Sequence, residues 1–249
     1  LVPVNAALRD GNPEAFVQAC DAAGSRVQRQ TCVTLPQLHA CVQQWHQQLF
    51  SEWRDAGIFA PVSPEHLPKV LHAVRGRQLL CALREGPFGA EQVNARLEAL
   101  FRQHAADSAV GAWYPGRTVM MTHNDAASGL FNGDIGICLR DGAGDLQVWF
   151  EGASATEEDQ GPRAFAPDAL PPHEGAFAIT IHKSQGSEYG HVAVLLPPDA
   201  DNAVLSRQLL YTAATRARMS LALWCSDSVL QATLIARNAR SSALPQRLG

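Results

Sequence analysis

Apolar positions along the chain follow two rhythms, and the points where one gives way to the other set the expected fold. Leu35, Leu38, Val42, Trp45, Leu49 and Trp53 recur every three or four residues behind Thr34. That spacing keeps one helical face apolar and predicts a helix over 34–56 opened by a hydroxyl cap. Pro61, Pro64 and Pro68 interrupt a shorter helical pattern that ends near Val74. The run "RQLLCAL" at 77–83 then suits a strand covered on both faces. "REGPFG" turns the chain, and Val93, Leu97, Leu100 and Phe101 mark a helix to about residue 104. Strand, loop and helix make half of a βαβ unit, the repeating element of parallel α/β folds.

Near residue 112 the rhythm changes. "GRTVMMTHND", "NGDIGICLRDGAGDLQVWF" and "PRAFAPDAL" are short alternating runs broken by Gly, Asn and Asp, and they predict hairpins forming a small antiparallel β-barrel over 111–172. The acidic loop "TEEDQ" at 156–160 within it reads as solvated. From Ala176 the first rhythm returns, with strands expected at 176–181, 191–197 and 219–225, a helix over 203–217 and a final helix. The barrel is therefore expected as an insertion, dividing one α/β domain into 1–110 and 173–249.

Composition narrows the class. The 249 residues are 46% hydrophobic, yet no apolar run approaches the 18 or so residues that a membrane span requires. Together with a start at Leu1 rather than Met, this reads as a piece of a longer soluble protein. Cysteines at 20, 32, 41, 81, 138 and 225 form no Cys-x-x-Cys pair, which argues against zinc and disulfides and for a reducing cytoplasm. His39, Cys41 and His46 lie close together, but within a helical pattern and without a second ligand pair, so no metal site is expected. A net charge of −4 lacks the overall basic signature of a nucleic-acid binder. From Arg207 onward, however, Arg207, Arg216, Arg218, Arg237, Arg240 and Arg247 face one acid, Asp227. A solvated basic helix and a phosphate-facing surface both fit that bias.

Two stretches carry candidate chemistry. "ITIHKSQGSEYG", 179–190, reads as an apolar strand running into Thr180, His182, Lys183, Ser184 and Gln185. Strand ends of parallel sheets present such donors to ligands. Gly186 allows close backbone approach, and Glu188 could accept from a sugar hydroxyl. In "LLYTAATRAR", 209–218, Arg216 follows Thr215 and lies one turn beyond Thr212, among small residues. It is either a surface arginine or one aimed at a phosphoryl group.

Taken together, "ITIHKSQGSE" and "LLYTAATRAR" resemble motifs V and VI of superfamily-one helicases. "LLCALREGPFGAEQVN" and "GRTVMMTHNDAASGLFNGDIGI" are similar to the motif IV region and the start of the inserted barrel in the RecD family, the alpha subunits of exodeoxyribonuclease V. Specific matching covers about 77–225; residues 1–75 match loosely and read as the entry into the same domain. The resemblance implies a RecA-like (P-loop NTPase-type) second motor domain with an SH3-like insert. It also implies 5′-to-3′ DNA helicase activity driven by ATP and Mg2+, single-stranded DNA as substrate, RecB and RecC as partners, and a role in break repair and recombination. Residue by residue, Arg216 would be the arginine finger on the γ-phosphate, Arg84 a second phosphate contact, and Gly186 and Glu188 neighbours of the nucleotide. Thr180, His182 and Ser184 would face DNA, as would His123 and Asn124 on the barrel. Nuclease activity in that family belongs to another subunit, so no nuclease site is expected.

One element of a complete motor is missing. A P-loop needs a lysine after glycine and before Ser or Thr, and the two lysines here sit in "PKV" (Lys69) and "HKS" (Lys183). ATP and Mg2+ would therefore be held mainly by an N-terminal RecA-like domain of the same polypeptide. A non-enzymatic DNA- or protein-binding module on a degenerate helicase domain, and a stand-alone RecD-like helicase, remain alternatives.

Overall fold

A computed structural model describes residues 1–105, 110–151 and 161–236. The "TEEDQ" loop and Arg237, Arg240 and Arg247 lie outside the described residues. Two helices, α1 (Val2–Asp10) and α2 (Pro13–Ala23), lead into a short strand, β1 (Val27–Gln30), and then α3 (Leu35–Ala56) and α4 (Leu67–Val74). Strand β2 (Arg77–Cys81) and helix α5 (Ala90–His104) follow. The insert contributes β3 (Thr118–Met121), β4 (Ile135–Arg140), β5 (Leu146–Phe150), β6 (Arg163–Phe165) and β7 (His173–Gly175). The chain closes through β8 (Ala178–Thr180), β9 (Tyr189–Leu195), α6 (Arg207–Ala214), β10 (Ala217–Trp224) and α7 (Asp227–Ile235).

Strands β1, β10, β9, β2 and β8 lie in that order in one wholly parallel sheet. Successive side chains point to opposite faces, so each strand feeds two cores. Leu80, Val192, Val194, Leu221 and Leu223 pack with α1, α2, α6 and α7. Leu79, Cys81, Ala193, Leu195 and Trp224 pack with α3, α4 and α5. The result is a three-layer α/β/α domain, as the apolar run at 77–83 and the returning α/β rhythm predict. Helix α3 starts as expected: Thr34 Oγ1 accepts from the Gln37 amide while the Gln37 side chain accepts from the Thr34 amide, a reciprocal capping box.

The insert is a five-stranded antiparallel sheet ordered β6-β5-β4-β3-β7, with β6 and β7 at its edges. Gly136 on β4 stands opposite Phe150 on β5, and a Cβ there would meet the phenyl ring at 2.6 Å. The insert has its own core of Val119, Met121, Cys138, Val148 and Phe150. Ile137 and Leu139, the alternate residues of β4, join the α3–α5 core instead. It therefore rests on the parallel domain along one face.

One expectation needs correction. Helix α6 ends at Ala214, short of 217, because the Arg216 carbonyl already accepts the Tyr189 amide at 2.8 Å and Ala217 pairs with Tyr189 in the sheet. Arg216 thus lies in the turn between α6 and β10, not on a helix. The first 30 residues, read as a loose entry into the domain, form α1, α2 and the strand β1 at the edge of the parallel sheet.

His46, on α3, is 2% exposed among aromatic rings, with Phe101 edge-on at 4.6 Å and His104 stacked at 5.3 Å. Burial first, and His104 second, push its pKa down from 6.5 to about 4. An unfolded chain therefore takes up a proton below pH 6.5 that the folded chain refuses, so stability complete above pH 6.5 falls as pH drops toward 4. By pH 5 the loss from this group is about 2 kcal/mol. Urea titrations at pH 7 and pH 5 should show a smaller drop for His46→Phe than for the wild type; equal drops would remove this group as the cause.

Candidate functional site

The stretch 181–188 joins two parallel strands with very little chain. Thr180, at the end of β8, lies level with Cys81 and, through it, with Leu195 at the carboxyl end of β9. Tyr189, where β9 begins, pairs with Ala217 at the opposite end of the sheet. The connection therefore runs back along β9, six residue steps or about 20 Å. It opens with a 3₁₀ turn, His182–Ser184. Gly186, at φ 87°, then takes the left-handed conformation that favours glycine.

This path divides the candidate residues between the two ends of the sheet. At the amino end, Arg216 is half-buried, and its guanidinium donates to Thr212 O (3.1 Å), Ser187 O (3.0 Å) and Thr215 Oγ1 (3.1 Å). A guanidinium carries five N–H donors, so two remain for an acceptor. Glu188 Oε2 receives both Nε and Nη2 of Arg218 at 2.7 Å. The structure thus brings Gly186, Glu188 and Arg216 together, with Glu188 engaged in an ion pair.

At the carboxyl end, Arg84, Thr180 and Lys183 line a pocket of about 350 Å³ with Asn94, Glu174 and Arg117. Arg84 follows β2 and pairs with Glu91 at 2.9 Å. It does not join Arg216, Gly186 and Glu188, because the length of the sheet separates them. Thr180 is half-buried and His182 exposed. Ser184 corrects the expectation of a DNA-facing residue: it is 0% exposed and donates to Ile181 O at 2.7 Å, so it braces the turn from inside. His123 and Asn124 are exposed just beyond the end of β3 that pairs with His173, whereas the other end of β3 meets Ala176 beside β8. They are not gathered with Thr180 and His182. Asn124 Oδ1 accepts from the Asn132 amide at 2.8 Å and shapes its own loop.

Comparison with known proteins bears on what these ends serve. Residues 175–224, covering the loop and Arg216, match the UvrD-like helicase C-terminal domain. Over 171 residues the chain is 38% identical to "RecBCD enzyme subunit RecD" of Mycobacterium tuberculosis, 69% of this chain and 28% of that protein. The chain is homologous to RecD. The Haemophilus influenzae RecD subunit is 35% identical over 173 residues, 69% of this chain and 25% of that protein. The "ATP-dependent RecD2 DNA helicase" of Deinococcus radiodurans is 37% identical over 174 residues, 69% of this chain and 23% of that protein. The chain spans about a quarter of the length of these RecD and RecD2 relatives.

Two residues that sequence reasoning missed hold the RecD-like loop at its root. Gln78, 5% exposed on β2, directs Nε2 to Ala176 O and Phe177 O, each at 3.2 Å. Asn94, on α5, accepts from the Ala178 amide at 2.9 Å and donates to the Ala178 carbonyl. Its side-chain amide stands where a sixth strand would pair with β8. Gln78 shows in the sequence only as a polar residue beginning an apolar strand, whereas Asn94 closes the "LLCALREGPFGAEQVN" stretch, whose resemblance did not give it a role. Asn94→Ala would leave both Ala178 groups unpaired, and the expected loss is about 1–3 kcal/mol, read as a lower urea midpoint. An unchanged midpoint would show that water replaces the amide without cost.

Proposed function

We propose that the chain is the second RecA-like motor domain, with an SH3-like insert, of a RecD-type DNA helicase that couples ATP hydrolysis to 5′-to-3′ movement on single-stranded DNA. The observation that carries this reading is the attachment of Arg216 to Ser187 and Tyr189, at one end of a loop whose other end bears Thr180 and His182. A nucleotide held mainly by an N-terminal RecA-like domain would present its terminal phosphate to the two unused N–H groups of Arg216. Such a finger stabilises charge on the transferring phosphoryl group and is worth about a thousandfold or more in rate. Gly186 and Glu188 lie on the same side and serve the nucleotide, while Thr180 and His182, with His123 and Asn124 on the insert, serve the DNA strand. Arg84, at the DNA-facing end, is better suited to a nucleic-acid phosphate than to the nucleotide.

Among the described residues no three His, Cys, Asp or Glu side chains are grouped to hold a metal ion, so Mg2+ is assigned to the other domain and no step here runs through it. RecB and RecC are the proposed partners, because the RecD relatives are subunits of a RecBCD enzyme. A repair and recombination role in the cytoplasm follows from the same reading. Among the described residues no helix is long and apolar enough to cross a membrane. A stand-alone RecD-like helicase is the second reading, favoured by the similarity to the Deinococcus protein. Co-purification with RecB and RecC separates the two.

Neither lysine lies in a P-loop, so the 249-residue chain alone should bind single-stranded DNA weakly and hydrolyse no ATP; measurable turnover would overturn the two-domain account. In the full-length protein, Arg216→Ala should leave nucleotide binding intact and lower kcat about a thousandfold. Unchanged kcat would remove Arg216 from the chemistry.

A further inference from the structure

We infer that the insert is a brace for the loop 181–188, and that the Lys183–Glu174 ion pair is the positioning contact that sets the loop for DNA. The inference rests on the motor reading and names a pair of residues that this reading leaves without a role. Lys183 sits in the 3₁₀ turn between His182 and Ser184, and its Nζ lies 2.6 Å from Glu174 Oε1 on β7, with both side chains about one-third exposed. Glu174 is itself fixed, since β7 pairs with β3 through Met120.

The insert also borders the other end of the same loop. Gly133 and Asp134, before β4, and Glu151, after β5, line a small cavity with Ser187, Glu188 and Tyr189. Arg75, from the parallel domain, pairs with Glu151 across it. Contacts near α5 fix the first end further. Arg117, just before β3, lies 3.7 Å from Glu98, and a Cβ on Gly175 would meet Glu98 at 2.9 Å. The insert therefore holds the loop near its beginning, through Lys183, and borders its end, while leaving the exposed His182 and the half-buried Thr180 to a ligand.

The pocket around Lys183 argues against a direct phosphate contact for this lysine. Arg84 pairs with Glu91 at the surface, its side chain 64% exposed and free to turn to a ligand, whereas Lys183 and Arg117, 33% and 16% exposed, are held by Glu174 and Glu98 within the pocket.

The test uses the full-length protein and reads single-stranded-DNA-stimulated ATP hydrolysis with an oligothymidine probe. Lys183→Glu, Glu174→Lys and the isosteric Glu174→Gln should each raise the oligothymidine concentration for half-maximal stimulation about fivefold, as expected for loss of one partly exposed ion pair. Their kcat should stay within about twofold of the wild type. The double reversal Lys183→Glu/Glu174→Lys should restore the wild-type concentration. A double variant no better than Lys183→Glu would overturn the brace and mark Lys183 as a DNA contact. A wild type with no DNA-stimulated hydrolysis would instead overturn the motor reading, so the two failures are distinguishable.

Discussion

Eight residues have to carry the backbone from the carboxyl end of β8 to the amino end of β9, and little of the candidate site is independent of that constraint. The path descends about 20 Å and crosses β2, about 10 Å sideways at two strand spacings. Two turns take up most of that chain: the 3₁₀ turn His182–Ser184, and a tight turn closed by the Ser187 amide on the Ser184 carbonyl at 3.1 Å, with Gly186 left-handed at its third position. Few residues are left to extend, so the two turns fix where each end of the connection lies, which a long loop of the same composition would not do. Ser184, buried and bonded to Ile181 O, and the left-handed Gly186 are the local devices that keep the short route open.

Much of the parallel domain is legible in the sequence, because burial on two faces leaves a continuous apolar run and burial on one helix face leaves a period of 3.6. Helix α3, its Thr34 cap and strand β2 follow from those signals alone. Strand β1 does not: in "VQRQ" only Val27 is buried, since the strand lies at the edge of the sheet. The end of α6 is equally hidden. "TAATRAR" is as good a helix as a turn by local propensity, and the sheet pairing of Ala217 with Tyr189 decides it.

The site is legible in its inventory more than in its arrangement. Motif-like stretches single out Thr180, His182, Gly186, Glu188 and Arg216, yet spacing along the chain does not say which end of the sheet each occupies. Arg84 and Arg216 look like two contacts to one group until topology puts them at opposite ends. Glu174 and Gln78 carry no motif, and Asn94 ends the "LLCALREGPFGAEQVN" stretch without showing what it binds; Gln78 and Asn94 act through partners far away in sequence. Asn94 and Ala178, for example, are 84 residues apart.

The same asparagine also bears on how the molecule meets its neighbours. An edge strand of a parallel sheet offers unpaired amides and carbonyls, and a second chain can extend the sheet there. By occupying the Ala178 amide and carbonyl, Asn94 closes part of that edge and helps to end the sheet at β8. The side chain that orders the root of the loop is thus also a guard against strand-by-strand self-association during folding.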